Sequence, residues 1–236
     1  MEKPQAKLQN LSVFFPAYNE QDVINRTIEN ALHILPAFAQ CFEVIAVNDG
    51  STDKTAQHLS ELSKKYPLLR IVTHSTNQGY GAAIRSGLMN CKHDYIFYSD
   101  SDGQFDLRDI GKLIQLIDSC DIAAGFRSER RDSLHRIINA HAYNSFVRLL
   151  FGLPIKDIDC AFKLIKRNVI NTITLKSNGA FISAELLLKA RKQGFIIKQC
   201  AVGHLPREGG KPTGNKPQVV LKAFAELFRL WKELRQ

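Results

Sequence analysis

The sequence lacks the features of a protein that crosses a membrane or depends on disulfides. No stretch of its 236 residues approaches the ~18 uninterrupted apolar residues that a spanning helix needs, and no signal peptide is visible at its start. Its five cysteines are scattered and never spaced C-x-x-C, which argues against a zinc site or a disulfide framework. Because such cysteines suit a reducing cytosol, we expect a cytoplasmic protein.

Acidic residues are also scarce relative to basic ones. The chain has 23 Asp and Glu against 32 Lys and Arg, a formal net charge of +9. This excess indicates an anionic partner, whether nucleic acid, a membrane surface or a phosphorylated substrate. The alternative is a soluble protein that is basic overall and has no such partner. A nucleic-acid-binding module is supported by the charge alone, because interleaved aromatic residues and a recognisable binding motif are lacking. We therefore expect no nucleic-acid partner.

Short apolar runs alternate with helical patterns through the first half of the chain. The predicted strands are residues 11–15, 42–47, 69–73, 95–99 and 121–125. The predicted helices are residues 20–35, 53–65, 80–91 and 107–118. This alternation predicts an α/β fold with a mostly parallel sheet and helices on both faces. Such sheets bind ligands at the carboxyl ends of their strands.

The second half is less regular. It predicts a long helix over residues 134–151, strands over 161–165 and 195–202, and a helix over 182–193. Residues 207–217 are rich in Gly, Pro and Lys and predict a loop. Residues 219–234 carry an apolar stripe opposite basic residues, which predicts an amphipathic helix. That helix either packs on its own domain or a dimer partner, or lies in a membrane interface with its cations on anionic lipid.

Polar residues cluster directly after three of the predicted strands. They occupy residues 16–20, 48–53 and 100–104, and a random scatter would not choose the same end of three strands. For some of these residues, a purely structural role is the alternative to ligand binding. Asn19, or Ser51 to Asp53, would serve simply as helix N-caps, and Asp49 with Gly50 as a turn.

Asp100, Asp102 and Gln104 are spaced two residues apart. In an extended segment this spacing directs three oxygen-bearing side chains to one side. Two carboxylates so close repel each other unless a cation lies between them. Such hard donors suit Mg²⁺ or Mn²⁺, which keep positions open for phosphate oxygens. The alternative is an ordinary polar surface loop.

Three motifs occur in a fixed order, P-A-Y-N-E, N-D-G-S-T-D and D-S-D-G-Q. In this order and spacing they resemble the family 2 glycosyltransferases, which have the GT-A fold. Residues 125–127, 135–139, 159–163 and 207–211 further resemble the branch with dolichyl-phosphate mannose synthases and bacterial polyprenyl-phosphate glycosyltransferases. The resemblance runs from about Leu11 to Lys211. It implies a catalytic domain over residues 1–217, followed by a C-terminal amphipathic helix over residues 218–236.

The resemblance also implies roles for individual residues. Asp100 would lie by the ribose and the metal, whereas Asp102 and Gln104 would ligate Mg²⁺ or Mn²⁺ directly. The residues that would line the nucleoside and ribose pocket are Pro16, Tyr18, Glu20 and Asp49. The residues that would hold donor and acceptor phosphates are Arg127, Arg136 and Arg207. A dinucleotide site at residues 79–84 is disfavoured, because Ile84 replaces the third glycine. Asn77, Gly79 and Arg85 would instead support the donor pocket.

The implied reaction is an inverting transfer of a sugar from a GDP-mannose or UDP-hexose type donor onto polyprenyl or dolichyl phosphate. The enzyme would act as a peripheral protein at the cytoplasmic face of the membrane. A homo-oligomer is one of its possible assemblies. A phosphate acceptor needs no general base, because it is largely dianionic near neutral pH. A soluble sugar or protein hydroxyl would need one, and Asp159 is the candidate. Asp159 could equally pin the loop of Arg136 as a buried hydrogen-bond acceptor.

The chain departs from the pattern of this branch on the acceptor side. Asn139 and Ala140 follow Arg136 where the branch often has Ser. Residues 161–163 read A-F-K where S-G-F-R is usual, and residues 211–213 read K-P-T. These departures bear on the acceptor more than on the donor.

Overall fold

The computed structural model describes residues 7–128, 145, 147–148, 151–152, 154–206 and 226. The strands within them are β1 (Leu8–Ala17), β2 (Ala39–Asn48), β3 (Leu69–Thr73), β4 (Tyr95–Ser99), β5 (Ile122–Arg127), β6 (Phe162–Lys166) and β7 (Ile197–Val202). The α-helices are α1 (Ile24–Ile34), α2 (Thr55–Lys65), α3 (Tyr80–Asn90), α4 (Ile110–Ile117), α5 (Arg167–Thr172) and α6 (Ile182–Lys192). Short 3-10 helices occupy Leu35–Ala37 and Leu107–Asp109.

The strands form one seven-stranded sheet in the order β3-β2-β1-β4-β6-β5-β7. All neighbouring pairs are parallel except those of β6, which runs antiparallel to both β4 and β5. The predicted α/β fold with a mostly parallel sheet is therefore confirmed. The antiparallel direction of β6 has a consequence for the site. It brings the start of β6 to the same edge of the sheet as the carboxyl ends of β1, β2, β4, β5 and β7.

The apolar runs are the strands that this sheet buries. Phe14 of β1 and Ile45 of β2 have no exposed surface, as expected for parallel strands that are covered on both faces. Phe97 of β4 meets Phe162 of β6 edge-to-face, with ring centroids 4.7 Å apart. Helix α3 packs on β1 and β2, and α4 packs on β5, β6 and β7. The core thus runs through the whole sheet.

Helix α1 begins four residues later than the sequence predicts. The backbone N–H of Glu20 donates to Thr55 Oγ1 at 2.8 Å, and that of Gln21 donates to Asp53 Oδ2 at 3.2 Å. Since these amides are bound to the loop after β2, the chain enters the helix only at Ile24. The predicted helix over residues 107–118 likewise opens as a 3-10 turn, capped by the Asp106 side chain.

Several expectations concern residues outside this description. The predicted helix over residues 134–151 lies almost wholly outside the described residues, as do Arg136, Arg207 and, apart from Glu226, the predicted C-terminal helix. No helix in the described part of the chain is long and apolar enough to span a membrane.

Candidate active site

The three polar clusters meet at one edge of the sheet. Pro16 pairs with Val47 and Ala17 with Asn48 across β1 and β2, so the loops that follow these strands leave side by side. Phe14 pairs with Tyr98, which brings the end of β4 to the other side of β1. The Ser101 hydroxyl donates to the Pro16 carbonyl at 2.8 Å and fastens the third cluster to the first.

The loops after β1 and β2 brace each other. Asn19 has a left-handed backbone, with φ of 56°, and its side-chain oxygen accepts from the Thr52 N–H at 2.8 Å. Its own N–H donates to Ser51 Oγ at 3.1 Å. Asp53 accepts from the Thr55 N–H at the start of α2, at 2.9 Å. Asn19, Ser51 and Thr52 therefore brace the two loops against each other and are not helix N-caps, since Val23 precedes α1 and Lys54 precedes α2.

Tyr18 and Glu20 lie on the braced loop, and both are partly buried. Pro16 is buried at the end of β1. The predicted nucleoside-contacting residues are therefore held on a rigid segment, next to the cluster that contains Asp100 and Asp102.

Asp49 is buried and bonded through both of its carboxylate oxygens. Oδ1 accepts from the Gln78 N–H and Oδ2 from the Gly79 N–H, each at 2.9 Å. His74 Nδ1 lies 2.6 Å from Oδ1, and His74 Nε2 lies 2.8 Å from Ser86 Oγ on α3. Asp49 thus fastens the segment before α3 to the end of β2. His74 is a member of this network that the sequence did not single out.

The residues around the start of α3 lie against residues 177–178. A Cβ on Gly79, whose φ is 99°, would lie 2.4 Å from the Asn178 carbonyl oxygen. Arg85, also on α3, donates to the Ser177 carbonyl and to Asn178 Oδ1, the latter at 2.6 Å. Ser177 Oγ in turn donates to Glu226 Oε2 at 2.5 Å. Arg85 therefore holds residues 177–178 against α3, in contact with one residue of the C-terminal segment.

The third cluster turns through bends after β4 rather than continuing as an extended strand. Ser101 is directed inward to Pro16, whereas Asp100 Oδ1 accepts from the Tyr80 hydroxyl at 3.0 Å. The Gln104 N–H donates to Asp102 Oδ1 at 3.1 Å. Asp102 and Gln104 are both buried. The predicted ligand residues therefore lie in one short, inward-facing turn.

The electrostatics of this turn fit a cation. Burial, followed by the negative charge of Asp102, raises the pKa of Asp100 to about 7, against opposing effects of Tyr80 and Arg127. Among the described residues no three His, Cys, Asp or Glu side chains come together as a metal site. Two carboxylates and an amide oxygen are hard donors that Mg²⁺ and Mn²⁺ accept. Such a cation would complete its coordination with oxygens from outside the chain.

Arg127 ends β5 at the same edge and is held by a residue that the sequence analysis missed. Its Nε lies 2.6 Å from Asp157 Oδ2 and its Nη2 lies 2.8 Å from Oδ1. The two side chains are 11% and 6% exposed, so the pair is buried. Asp157 and Asp159 both precede β6, and their spacing alone gave no means of telling which one meets Arg127.

Asp159 lies close to the same groups. Burial and then the charge of Asp100 raise the pKa of Tyr80 well above its ordinary value, and Asp159 adds to this effect. The side chain of Lys163 on β6 is fully buried nearby. Its ammonium donates to the carbonyls of Ile158 and Cys160, the former at 3.2 Å. Lys163 therefore fixes the backbone on both sides of Asp159.

The chain matches the model of glycosyl transferase family 2 over residues 12–174. This match covers more than half of the sequence, and the matched residues include the three motif loops, the carboxylate pair and Arg127. The chain therefore belongs to glycosyl transferase family 2, and the predicted family is confirmed.

Three similar curated proteins share less than a third of their aligned residues with this chain. Glycosyltransferase AglD of Haloferax volcanii is 27% identical over 95% of this chain and 37% of its own length. Dolichyl-phosphate beta-glucosyltransferase of Saccharomyces cerevisiae is 28% identical over 85% of this chain and 68% of its own length. Undecaprenyl-phosphate 4-deoxy-4-formamido-L-arabinose transferase of Edwardsiella ictaluri is 28% identical over 70% of this chain and 52% of its own length. The chain spans only part of each relative.

Solved structures with the same fold include two complexes of glucosyl-3-phosphoglycerate synthase from Mycobacterium tuberculosis. The complex with Mn²⁺, UDP and phosphoglyceric acid has a TM-score of 0.74 at 16% identity, over 94% of this chain and 78% of that one. The complex with Mg²⁺ and UDP has a TM-score of 0.72 at 17% identity, over 94% and 79%. At this identity the likeness establishes the shared fold.

Proposed function

We propose that this chain is an inverting glycosyltransferase that moves a sugar from a UDP-sugar onto a polyprenyl phosphate. The observation that carries the proposal is the meeting of Asp100, Asp102 and Arg127 at the carboxyl edge of the sheet, since this combines a cation site with a fixed guanidinium. The names of the polyprenyl-phosphate relatives support the acceptor. The UDP and divalent metals in the similar structures support a uridine donor over a GDP-sugar.

The nucleoside end of the donor would lie against the braced loop after β1. Pro16, Tyr18 and Glu20 would line this pocket. Asp49 would border the base or ribose, and its hydrogen bonds to Gln78 and Gly79 hold the adjoining backbone in place. A pocket whose walls are fixed before binding loses less entropy when the donor binds.

The diphosphate would lie over the turn after β4. Asp102 and Gln104 would ligate Mg²⁺ or Mn²⁺, with Asp100 beside them. When bound, the cation would offset the negative charge that develops on the departing diphosphate. Arg127 would contribute a second positive charge, in an orientation set by its two bonds to Asp157.

The acceptor phosphate would attack without a general base. One of its oxygens forms a bond to the anomeric carbon as the bond from that carbon to the diphosphate breaks, which releases UDP. A single displacement inverts the configuration at that carbon. Arg127, Arg136 and Arg207 would anchor the phosphates through charge-assisted hydrogen bonds.

A hydroxyl acceptor is the second candidate, and the surroundings of Asp159 favour it. This carboxylate lies close enough to Tyr80 and Arg127 to affect the pKa of both. The buried Lys163 holds the backbone around it. A fixed carboxylate in this position could accept the proton of a sugar or protein hydroxyl. The transfer would then depend on Asp159 more than on Arg136 and Arg207.

A lipid acceptor would require the protein to work at a membrane surface. We propose that residues 218–236 provide this contact from the cytoplasmic side, using basic residues on anionic lipid.

A donor and acceptor panel tests the proposed function. Radiolabelled UDP-glucose, UDP-N-acetylglucosamine and GDP-mannose are each incubated with polyprenyl phosphate, or with soluble sugars and a protein acceptor, in Mn²⁺, Mg²⁺ or EDTA. We expect label in the lipid fraction from a UDP-sugar, with metal present. Label that appears only in soluble sugar or protein would contradict the lipid acceptor, and transfer from GDP-mannose alone would contradict the uridine donor.

A further inference from the structure

Tyr80 is the first residue of α3, and the backbone on both of its sides is bonded to distant residues. The Gly79 N–H donates to Asp49 Oδ2 at 2.9 Å. The Gly81 N–H donates to the Asn178 carbonyl, also at 2.9 Å. The Tyr80 ring is partly buried and packs against the hydrophobic core. The ring therefore has a fixed place at the carboxyl edge of the sheet, although the sequence analysis did not single it out.

The Tyr80 hydroxyl holds one oxygen of Asp100 and leaves the other for a ligand. It donates to Asp100 Oδ1 at 3.0 Å. Oδ2 of the same carboxylate accepts no hydrogen bond from any residue that the structure describes. The terminal torsion of an aspartate side chain has a broad distribution, so a carboxylate without such a bond would rotate. Tyr80 therefore fixes the direction in which Oδ2 is presented.

Asp100 lies beside the end of β1, where the nucleoside would bind. Phe14 of β1 pairs with Tyr98 of β4, so the residues that follow these two leave the sheet side by side. The Ser101 hydroxyl donates to the Pro16 carbonyl at 2.8 Å and keeps the two strand ends together. Oδ2 of Asp100 is therefore offered to the part of a donor that lies over Pro16.

A ribose hydroxyl is the chemical group that suits this oxygen. An ionised carboxylate can only accept hydrogen bonds, and the hydroxyls of a ribose can donate. Such bonds are stronger than those between neutral groups, because the acceptor is charged. A deoxyribose that lacks the bonded hydroxyl would leave Oδ2 without a donor in the bound state. A carboxylate in a fixed orientation can therefore discriminate between the two sugars.

We propose that Tyr80 is a positioning residue that makes the donor site selective for ribonucleotides over deoxyribonucleotides. Its hydroxyl fixes Asp100 through Oδ1, and Oδ2 accepts from a ribose hydroxyl. This inference rests on the proposed function, in which a nucleoside diphosphate lies between Pro16 and the turn after β4. Tyr80 acts through Asp100 and does not itself need to contact the ribose.

The test measures binding of UDP, 2′-deoxy-UDP and 3′-deoxy-UDP by calorimetry in Mn²⁺. We expect the wild type to bind at least one deoxy analogue about tenfold more weakly than UDP, the effect of one hydrogen bond to a charged group. In Tyr80→Phe this ratio should fall to about threefold or less, because UDP loses affinity and the analogue does not. Equal loss of affinity for UDP and both analogues would assign Tyr80 to packing or to the cation, and would overturn the proposal.

Tyr66→Phe is the matched control. The Tyr66 hydroxyl also donates to a carboxylate oxygen at 3.0 Å, Oε1 of Glu29, at the end of α2. Both substitutions remove one hydroxyl and keep the ring. We expect Tyr66→Phe to retain the wild-type ratio between UDP and the deoxy analogues. A ratio that falls as far in this variant as in Tyr80→Phe would overturn the proposal.

A double variant tests whether Tyr80 acts through Asp100. We expect Asp100→Asn to lose the preference for UDP over the deoxy analogues, and addition of Tyr80→Phe to change the ratio no further. Retention of the wild-type ratio in Asp100→Asn would overturn the proposal, because Oδ2 would then not be the acceptor. Melting temperatures of all variants are compared to show that each one is folded.

The ribose is common to UDP and GDP, which separates this inference from the proposed function. The same series is therefore run with GDP and its 2′-deoxy and 3′-deoxy forms, and neither series contains a sugar acceptor. Discrimination that is lost in Tyr80→Phe, without transfer to polyprenyl phosphate, would count against the proposed function alone. Discrimination in the GDP series only would contradict the uridine donor and support the role of Tyr80. No discrimination by the wild type in either series would overturn the inference, whether or not transfer occurs.

Discussion

Arg127 and Asp157 form a buried ion pair with two contacts, of 2.6 and 2.8 Å, beside the carboxylate pair of the site. The pair joins the end of β5 to the segment before β6. The Lys163 ammonium donates to the Ile158 carbonyl in the same segment. One small cluster thus positions the guanidinium, Asp159 and the surroundings of Asp100.

Replacing Asp157 with Asn should therefore be costly. The guanidinium would stay buried after losing its anionic partner, so we expect the free energy of unfolding to fall by roughly 3 kcal/mol. Transfer should fall at saturating donor as well, because Arg127 is no longer held in one orientation. Urea denaturation and transfer rates measure the two effects.

Asp106→Asn is the matched control. Asp106 also pairs with an arginine through both oxygens, but the Arg108 side chain is 76% exposed. An exposed pair contributes at most about 1 kcal/mol, and Asn still caps the 3-10 turn. Similar losses in the two variants would show that burial of the Arg127 pair is unimportant.

A second prediction concerns acid stability. Burial tends to raise the pKa of Glu43, but hydrogen bonds from Ser12, Arg70 and the Lys92 N–H outweigh it and lower the pKa below 4.5. A carboxylate with a lowered pKa stabilises the fold above its unfolded pKa. That stability is lost as the pH falls through the folded value. We expect the difference in unfolding free energy between wild type and Glu43→Gln to shrink from pH 7 towards pH 3.

Glu61→Gln, on the exposed face of α2, controls for the loss of one carboxylate in general. Its difference from wild type is measured over the same pH range for comparison. A difference for Glu43→Gln that does not change with pH would show that this network does not contribute to the pH dependence.

A third prediction separates the two acceptors. Arg136→Lys and Arg207→Lys keep the charge but lose the planar, forked donor geometry. For a lipid-phosphate acceptor we expect each to lower transfer by about tenfold, or ~1.4 kcal/mol, with donor binding changed less. A hydroxyl acceptor predicts the reverse, with Asp159→Asn the most damaging variant. Unimpaired transfer in both arginine variants, with loss only in Asp159→Asn, would rule out the phosphate.

A fourth prediction concerns the C-terminal segment. Truncation after Gln218 should weaken binding to anionic liposomes, increasingly so at low salt, and leave UDP binding nearly unchanged. It also removes Glu226, whose carboxylate accepts from Ser177. Ser177→Ala removes that bond and keeps the segment, so it should bind liposomes as wild type does. Equal liposome binding by full-length and truncated protein would assign the segment to packing.

Local sequence patterns were sufficient for the strands that carry the motifs. The parts of β1, β2 and β4 that lead into the motifs are apolar runs, over residues 13–17, 44–47 and 95–98, because parallel strands are buried on both faces. Their order along the chain, with helices between them, is enough to bring residues 16–20, 48–53 and 100–104 to one edge. The approximate position of the carboxylate pair could therefore be predicted.

The remaining features depend on contacts between residues distant in sequence. That β6 runs antiparallel between β4 and β5 is not visible in any local pattern, and it brings the segment with Asp157 and Asp159 to the edge where β5 ends at Arg127. One partner of Asp49 is His74, twenty-five residues away. The hydrogen bond from Gln104 Nε2 to the Leu205 carbonyl spans a hundred and one residues. Pairings of this kind follow from sheet topology.

In the proposed function, Asp102 holds the cation that transfer requires. Chelated wild-type and Asp102→Asn proteins are titrated with Mn²⁺, and transfer from a UDP-sugar to polyprenyl phosphate is measured, with Asp106→Asn as the control carboxylate. We expect wild type and Asp106→Asn to need Mn²⁺, and Asp102→Asn to remain about a hundredfold slower at every concentration, since it lacks an anionic ligand. Transfer by Asp102→Asn at the wild-type rate in excess EDTA would contradict the account.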